Sequence, residues 1–340
     1  MFAAIRNEAT QDWINRLNAL GSKGEPALLL YDFEGEKPRL WSADEFVWDQ
    51  DIRFSFPSGP DRELTAFDYP GDLLCGANFV SESVYRKAFA TVQKGLQRGD
   101  SFLTNLTMPT EVELSASFEE IYRWADAPYR IWLRNEFVCF SPEIFVKINA
   151  TGRISSNPMK GTAEATEVGR KTLLTSKKEI AEHATIVDLI RNDLSQVAKR
   201  VRVNKYRYLD TIETPRGALL QTSSEISGQL PMNWREQLGT LLSRLLPAGS
   251  VSGAPKPATV KLIQAAEGRP RGYYCGIAVY FNGQEVDSCV MIRFLEKHPQ
   301  AGVLFWAGGG ITARSNWEDE YAELRAKVRI PLRVKGFSLH

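Results

Sequence analysis

The chain has 340 residues, 43% hydrophobic and 24% charged, with 42 Lys and Arg set against 41 Asp and Glu. This supports a sizeable core in a soluble globular body. A net charge of +1 leaves no electrostatic footprint for nucleic acid or an anionic membrane surface.

No apolar run approaches the ~20 residues of a membrane span, and the start MFAAIRNEATQDW turns charged too soon for a signal peptide. Four scattered cysteines (Cys75, Cys139, Cys275 and Cys289) form no CxxC and read as reduced thiols of a cytoplasmic protein. With His183, His298 and His340 the only histidines, a His/Cys zinc site is disfavoured.

In chain order, apolar spacing predicts a short amphipathic helix over 10–21 and a buried strand over 26–33. The proline-containing stretch 36–70 reads as loops joining short strands. A helix follows over 81–98 with Val84, Phe89, Val92 and Leu96 inward, and Gly99-Asp100 turns the chain into a strand over 102–108. Another helix at 118–125 leads into strands at 129–133, 137–140, 144–148 and 153–156, whose alternation points to antiparallel sheet with one buried face. The segment 176–197 lacks Pro and Gly, and Ile180, Val187, Ile190, Leu194 and Val197 recur at helical spacing, so it should be a helix with one buried stripe. Ser176 followed by Glu179 has the form of a capping box.

Strands are predicted at 201–209, 219–230, 274–281, 285–294 and 302–308, and helices at 234–245, 257–266 and 318–329. Asn282-Gly283 signals a two-residue hairpin. No repeat of 20–50 residues is visible. The expected fold class is α+β, with large antiparallel sheets forming a central sandwich and helices on the outside. Residues 1–80 are expected to supply the N-terminal part of the sheet core and 81–330 the functional region, in one compact unit.

Two acidic pairs share one spacing. Glu179 and Glu182 are a turn apart on the first long helix, and Glu320 and Glu323 repeat this near the C-terminus. Four carboxylates from two helices suit a hard divalent cation such as Mg²⁺, which takes oxygen ligands and keeps several waters. The alternative is two solvated faces paired with Lys177, Lys178, Arg325 and Lys327.

Gly249–Lys256 (GSVSGAPK) has the wrong spacing for a phosphate loop, and Gly308-Gly309-Gly310-Ile311 lacks the dinucleotide pattern. The triple glycine is either a tight turn or bare backbone that lets a carboxylate approach N–H groups. Lys160, in the PMKGT loop, is either solvated or, in a dry cleft, a nucleophile. Glu143 is either a solvent-facing acid or a general acid. Arg293 lies inside the apolar stretch VMIRFLE and calls for a partner, for which an anionic ligand is one candidate.

Taken together, GDSFLTNLT, SPEIF, PMKGT, KEIAEHATIVDLIRNDL, GSVSGAPK, RGYYCG, Ile292-Arg293, AGGGI and EDEYAELRAK resemble, in order, the motifs of the chorismate-utilising enzymes. That family includes anthranilate synthase component I, aminodeoxychorismate synthase component I, and the isochorismate and salicylate synthases. The resemblance runs from about Ser81 to Arg329 and implies an active site in a cleft between two α/β subdomains.

It further implies that Mg²⁺ holds the ring carboxylate of chorismate through Glu179, Glu182, Glu320 and Glu323. Tyr274 and Arg293 would hold the enolpyruvyl carboxylate. Thr162, Ser250, the Gly308–Gly310 backbone and Lys327 would make other contacts, with Gly161 beside them in the same motif. Lys160 is similar to the lysine of aminodeoxychorismate synthases, where anthranilate synthases typically carry alanine. Leu103 stands where water-adding relatives carry a lysine base, so water addition is disfavoured. Glu143 matches the acid that assists loss of the ring 4-hydroxyl. Gln221 falls where many members have histidine, and Ile144 where they have arginine.

The resemblance thus implies amination of chorismate at C4 for p-aminobenzoate and folate synthesis, with ammonia supplied by a separate glutaminase subunit. The alternatives are anthranilate synthase component I and a non-catalytic chorismate-binding subunit.

Overall fold

The structure, a computed structural model, describes residues 8–59, 73–212 and 217–332. The part of the expected loop region that falls on 60–70 lies outside the described residues.

Two antiparallel sheets carry the fold. The nine-stranded sheet runs, edge to edge, Met159–Glu164, Leu219–Gln229, Arg153–Ser156, Lys147–Ile148, Val286–Val290, Ile277–Phe281, Ala27–Tyr31 and Arg39–Ser42, with Lys199–Ile212 also paired to Leu219–Gln229. The eight-stranded sheet runs Gly253–Ala254, Leu103–Leu114, Gly302–Ile311, Phe294–His298, Phe137–Ser141, Tyr129–Leu133 and Ile52–Ser55, with Leu74–Asn78 on Leu103–Leu114. One apolar cluster draws on both sheets: Leu28, Leu29 and Ile277 from the first pack with Ile131, Phe137 and Phe294 from the second, all essentially inaccessible to water. Burial of each such side chain is worth about 1.5–3 kcal/mol. The expected α+β sandwich is therefore the observed architecture.

The chain crosses from one sheet to the other at two places that matter below. Between Phe137–Ser141 and Lys147–Ile148 it passes through Glu143, and between Val286–Val290 and Phe294–His298 through Arg293. The two crossings are tied together, since Val290 N donates to Glu143 O at 3.1 Å and Ile144 bridges Cys289. The predicted single strand over 285–294 is thus two strands in different sheets. Arg293 makes the break with φ 55°, a left-handed backbone that costs an L-residue about 1–2 kcal/mol.

Helices close the faces. Glu82–Arg98 starts at an Ser81 N-cap and stops at Gly99, whose φ of 82° supplies the left-handed turn. It buries Tyr85, Phe89, Val92 and Leu96, whereas Val84 is half exposed, one position off the buried stripe. Lys177–Ser195 lies across the strands Met159–Glu164, Lys199–Ile212 and Leu219–Gln229. Val187, Ile190 and Leu194 are buried as expected; Ile180 is not.

Other departures are local. Asn282-Gly283 does turn a hairpin, but the connection has four residues. Asn282 Oδ1 accepts from Gln284 N and Glu285 N, an Asx turn that replaces the two-residue form. A helix at Glu167–Thr175 follows a Thr166 N-cap, in a segment for which the sequence predicted no element. Among the described residues no helix is long and apolar enough to cross a membrane.

Candidate active site

PMKGT is not a loop. Met159–Glu164 is the edge strand of the nine-stranded sheet, with a bulge between Met159 and Thr162. The irregularity comes at Gly161, whose φ is 89°, and a bulge of this kind re-aims a side chain. Here it directs Lys160 into a cleft of about 170 Å³. That cleft lies between this edge and the strand Gly302–Ile311 of the other sheet, and both sheet crossings open onto it. Glu143, Lys160, Glu182, Ser250, Tyr274, Arg293, Gly308, Gly309, Gly310 and Lys327 all line it, as does Leu103.

Three of the four paired carboxylates, Glu182, Glu320 and Glu323, act on Lys160. Its Nζ is 3.1 Å from Glu182 Oε2, and a methyl added to Gly310 would stand 3.7 Å from the same nitrogen. A methyl on Gly309 would stand 3.4 Å from Glu320 Oε2 and 3.7 Å from both Glu323 Oε1 and Lys327 Nζ. The bare glycine strand thus lets the C-terminal pair approach Gly309, which lines the cleft. Glu179 comes from the other side: a Cβ on Gly161 would collide with its carboxylate. The capping box is therefore only half formed. Ser176 Oγ accepts from Glu179 N, but the Glu179 side chain turns to the bulge.

Burial works to lower the Lys160 pKa, but Glu182, Glu323 and Glu320 together outweigh it and hold the amine above its ordinary value. For Glu143, burial dominates and pushes the carboxyl up, against a hydrogen bond from Ser250 Oγ and the charge of Lys327. The site therefore contains an acid biased towards its protonated form, as a proton donor needs. Arg293 is pushed down by burial and by Arg329. One arm of its guanidinium donates to Lys327 O at 2.7 Å. Lys327 Nζ in turn bonds Glu323 Oε1 at 2.6 Å and Gly308 O at 2.8 Å. Tyr274 stacks on Trp306 with centroids 5.2 Å apart, a flat apolar wall beside these cations.

Six predicted residues are not among those lining the cleft: Gly161, Thr162, Glu179, Gln221, Glu320 and Glu323. Thr162 is exposed, and Gln221 is half buried as its cross-strand partner. One residue was overlooked. His183, next to Glu182, is completely buried, with Nε2 2.7 Å from Ser224 Oγ. Ser224 Oγ also accepts from Arg207 N, and Ser224 N donates to Pro158 O, so His183 backs the strand that bears Lys160. Burial pushes its pKa down to about 4, so it is a neutral brace. Its signal was available: it falls three and seven residues before the buried Ile186 and Ile190.

Residues 76–333 match the model of a family described as chorismate binding enzyme. The chain belongs to that family. An uncharacterized PabA-like protein of Haemophilus influenzae is 46% identical over 323 residues, covering 95% of this chain and 97% of that one. Aminodeoxychorismate synthase component 1 of Salmonella typhimurium is 33% identical over 259 residues, covering 72% of this chain and 56% of that one. Among solved structures, anthranilate synthase component I from Streptococcus pneumoniae superposes with a TM-score of 0.60 at 25% identity, covering 77% of this chain and 61% of that one.

For a chorismate binding enzyme the electrostatics of the cleft are apt. Arg293, Lys327 and the Gly308–Gly310 backbone offer cationic and N–H donors to an anionic ring compound. The carboxylates form an all-oxygen donor set. Among the described residues no three acidic, imidazole or thiol groups are gathered at a single point. The set nonetheless fits Mg²⁺, which binds through one or two carboxylates and completes its shell with water and substrate.

Proposed function

We propose that this chain aminates chorismate at C4, giving 4-amino-4-deoxychorismate for p-aminobenzoate and folate synthesis in the cytoplasm. Ammonia would come from a separate glutamine amidotransferase subunit. The observation that carries this reading is the Lys160 amine inside the cleft, among Glu182, Glu320 and Glu323, with Glu143 on the same wall.

In this reading Lys160, once it has released its proton, attacks C2 of chorismate. Both ring double bonds shift, the C4–O bond breaks, and Glu143 donates a proton so that the hydroxyl leaves as water. Ammonia then bonds to C4, both double bonds shift back, and the C2–Nζ bond breaks. The electron pair returns to Lys160 and the surplus proton to Glu143, so the sum is chorismate plus ammonia giving product plus water. Splitting one displacement into two steps is the gain from a covalent intermediate. Arg293 and Lys327 fix the substrate carboxylates, and Tyr274 with Trp306 packs against its planar part. Mg²⁺, held by Glu179, Glu182, Glu320 and Glu323, some directly and some through water, would neutralise and orient the ring carboxylate.

The test is product identification after incubation with chorismate, Mg²⁺ and ammonium salt. Aminodeoxychorismate supports the reading. Fluorescent anthranilate would instead mean the anthranilate synthase reaction, and binding without turnover a non-catalytic subunit.

A further inference from the structure

The strand Leu103–Leu114 gives alternate residues to the cleft. Leu103 and Asn105 line it, whereas Leu106 and Met108 pack with Tyr85, Phe89 and Val92 of the helix Glu82–Arg98. The Asn105 backbone is fixed on both sides: N donates to Ser252 O at 2.9 Å, and O accepts from Arg271 Nη2 at 2.8 Å. The same buried guanidinium donates to Val251 O at 2.7 Å and pairs with Glu267 at 2.6 Å. Across the strand pair from Asn105 stands Gly310, the glycine beside Lys160 Nζ.

The Asn105 side chain is not satisfied in this way. Its Oδ1 is shielded from water and accepts no hydrogen bond among the described residues. A shielded carbonyl oxygen without a donor is costly. The last torsion of an asparagine is broad, so a half-turn presents the oxygen to the cleft without moving the strand. Neighbouring groups are engaged: Glu182 with Lys160, Glu143 with Ser250, and Lys327 with Glu323.

We propose that Asn105 Oδ1 accepts a hydrogen bond from the 4-hydroxyl of chorismate, which makes Asn105 a specificity residue for the leaving group; this rests on the reaction proposed above. Chorismate carries two carboxylates, an enol ether and one hydroxyl, so that hydroxyl is its single hydrogen-bond donor. Arg293, Lys327 and the glycine backbone serve its acceptors, and Asn105 supplies the missing acceptor for its donor. The placement agrees. Asn105 is bonded to Ser252 and Glu143 to Ser250, two positions separated by at most about 7 Å of chain. Glu143 brings its proton to the hydroxyl oxygen while Asn105 holds the hydroxyl hydrogen. As the C4–O bond breaks and the oxygen gains that proton, its O–H becomes a stronger donor, so the bond to the amide tightens towards the transition state. The amide oxygen is too weak a base to take the hydrogen, and the departing water keeps both.

The experiment measures equilibrium binding of chorismate and of its 4-deoxy analogue to the full chain with Mg²⁺, and then turnover with ammonium chloride. The unmodified protein should bind chorismate about tenfold more tightly than the analogue. Asn105→Leu, branched alike but without an acceptor, should reduce that preference to within about twofold and lower kcat about tenfold. Asn105→Ala repeats the comparison if Asn105→Leu fails to fold. Equal affinity of the unmodified protein for both ligands, or a full preference retained in the folded variant, overturns the proposal. The binding arms need no turnover. A preference lost in Asn105→Leu, in a protein that makes no aminated product, supports the hydroxyl contact and refutes the amination.

Discussion

Lys160 Nζ and Glu182 Oε2 lie 3.1 Å apart, an ion pair that joins the edge strand of one sheet to the first turns of the long helix inside the cleft. Lys160 is about a quarter exposed and Glu182 less than a tenth, which sets this pair apart from exposed pairs that contribute little. Its amine stands over the glycine strand of the opposite sheet. We expect Lys160→Ala to reduce ammonia-dependent turnover to background while chorismate still binds within a few-fold of normal. Steady-state kinetics with a direct binding measurement checks this, and undiminished turnover would remove Lys160 from the chemistry.

Glu143 must be protonated to release the 4-hydroxyl, and burial raises its pKa. Lys160 must also lose its proton, and its pKa is held above the ordinary value, so the two requirements offset each other above the Glu143 value and activity should fall as pH drops through that raised value. The Ser250 hydroxyl favours the ionised form and lowers the pKa, so Ser250→Ala should move this acid-side limb to higher pH. Glu143→Gln should lower kcat by roughly 10²–10⁴-fold and abolish the limb. The pH profile of kcat/KM for the three proteins is the measurement, and a limb that shifts downward in Ser250→Ala contradicts the assignment.

Glu320 is buried beside Gly309, which lines the cleft. If it holds Mg²⁺ directly or through water, Glu320→Gln should raise the half-saturating Mg²⁺ concentration about 10–100-fold, the range found when outer-shell metal partners are removed. Chelation of the unmodified protein should stop turnover, and added Mg²⁺ should restore it. Equal Mg²⁺ dependence in variant and parent would point instead to Glu320 as a counter-charge for Lys160.

The element types were readable because the buried faces repeat at periods of two or 3.6 residues, and the acidic pairs stood out by spacing alone. What could not be read was where the chain changes sheet. VDSCVMIRFLE reads as one largely apolar strand, yet the break at Arg293 puts its halves into different sheets. Nothing local to the sequence marks that left-handed residue, since glycine would be the usual signal. Lys160 was assigned to a loop because Pro158 and Gly161 are turn formers. An edge strand tolerates both, the proline at its entry and the glycine at a bulge. Val84 and Ile180 are exposed although both are apolar at helical spacing, Val84 because the buried stripe runs through Tyr85 instead.

The same crossing yields a prediction that separates binding from stability. Arg293 holds φ 55° while its guanidinium is kept in the cleft by Lys327 O, so a backbone penalty is retained at a position that binds. Arg293→Ala and Arg293→Gly remove the same guanidinium and should raise the chorismate KM alike, with the loss of charge-assisted bonds costing about 1.5–3 kcal/mol. They should differ in stability. Alanine keeps the left-handed penalty of about 1–2 kcal/mol, whereas glycine escapes it and gives part back through its freer unfolded chain. The glycine variant should therefore be more stable than the alanine variant by about 1 kcal/mol, read from denaturant midpoints at equal m-values. If the alanine variant is the more stable, the backbone at position 293 is not strained, and the stored penalty has no part in how the cleft is built.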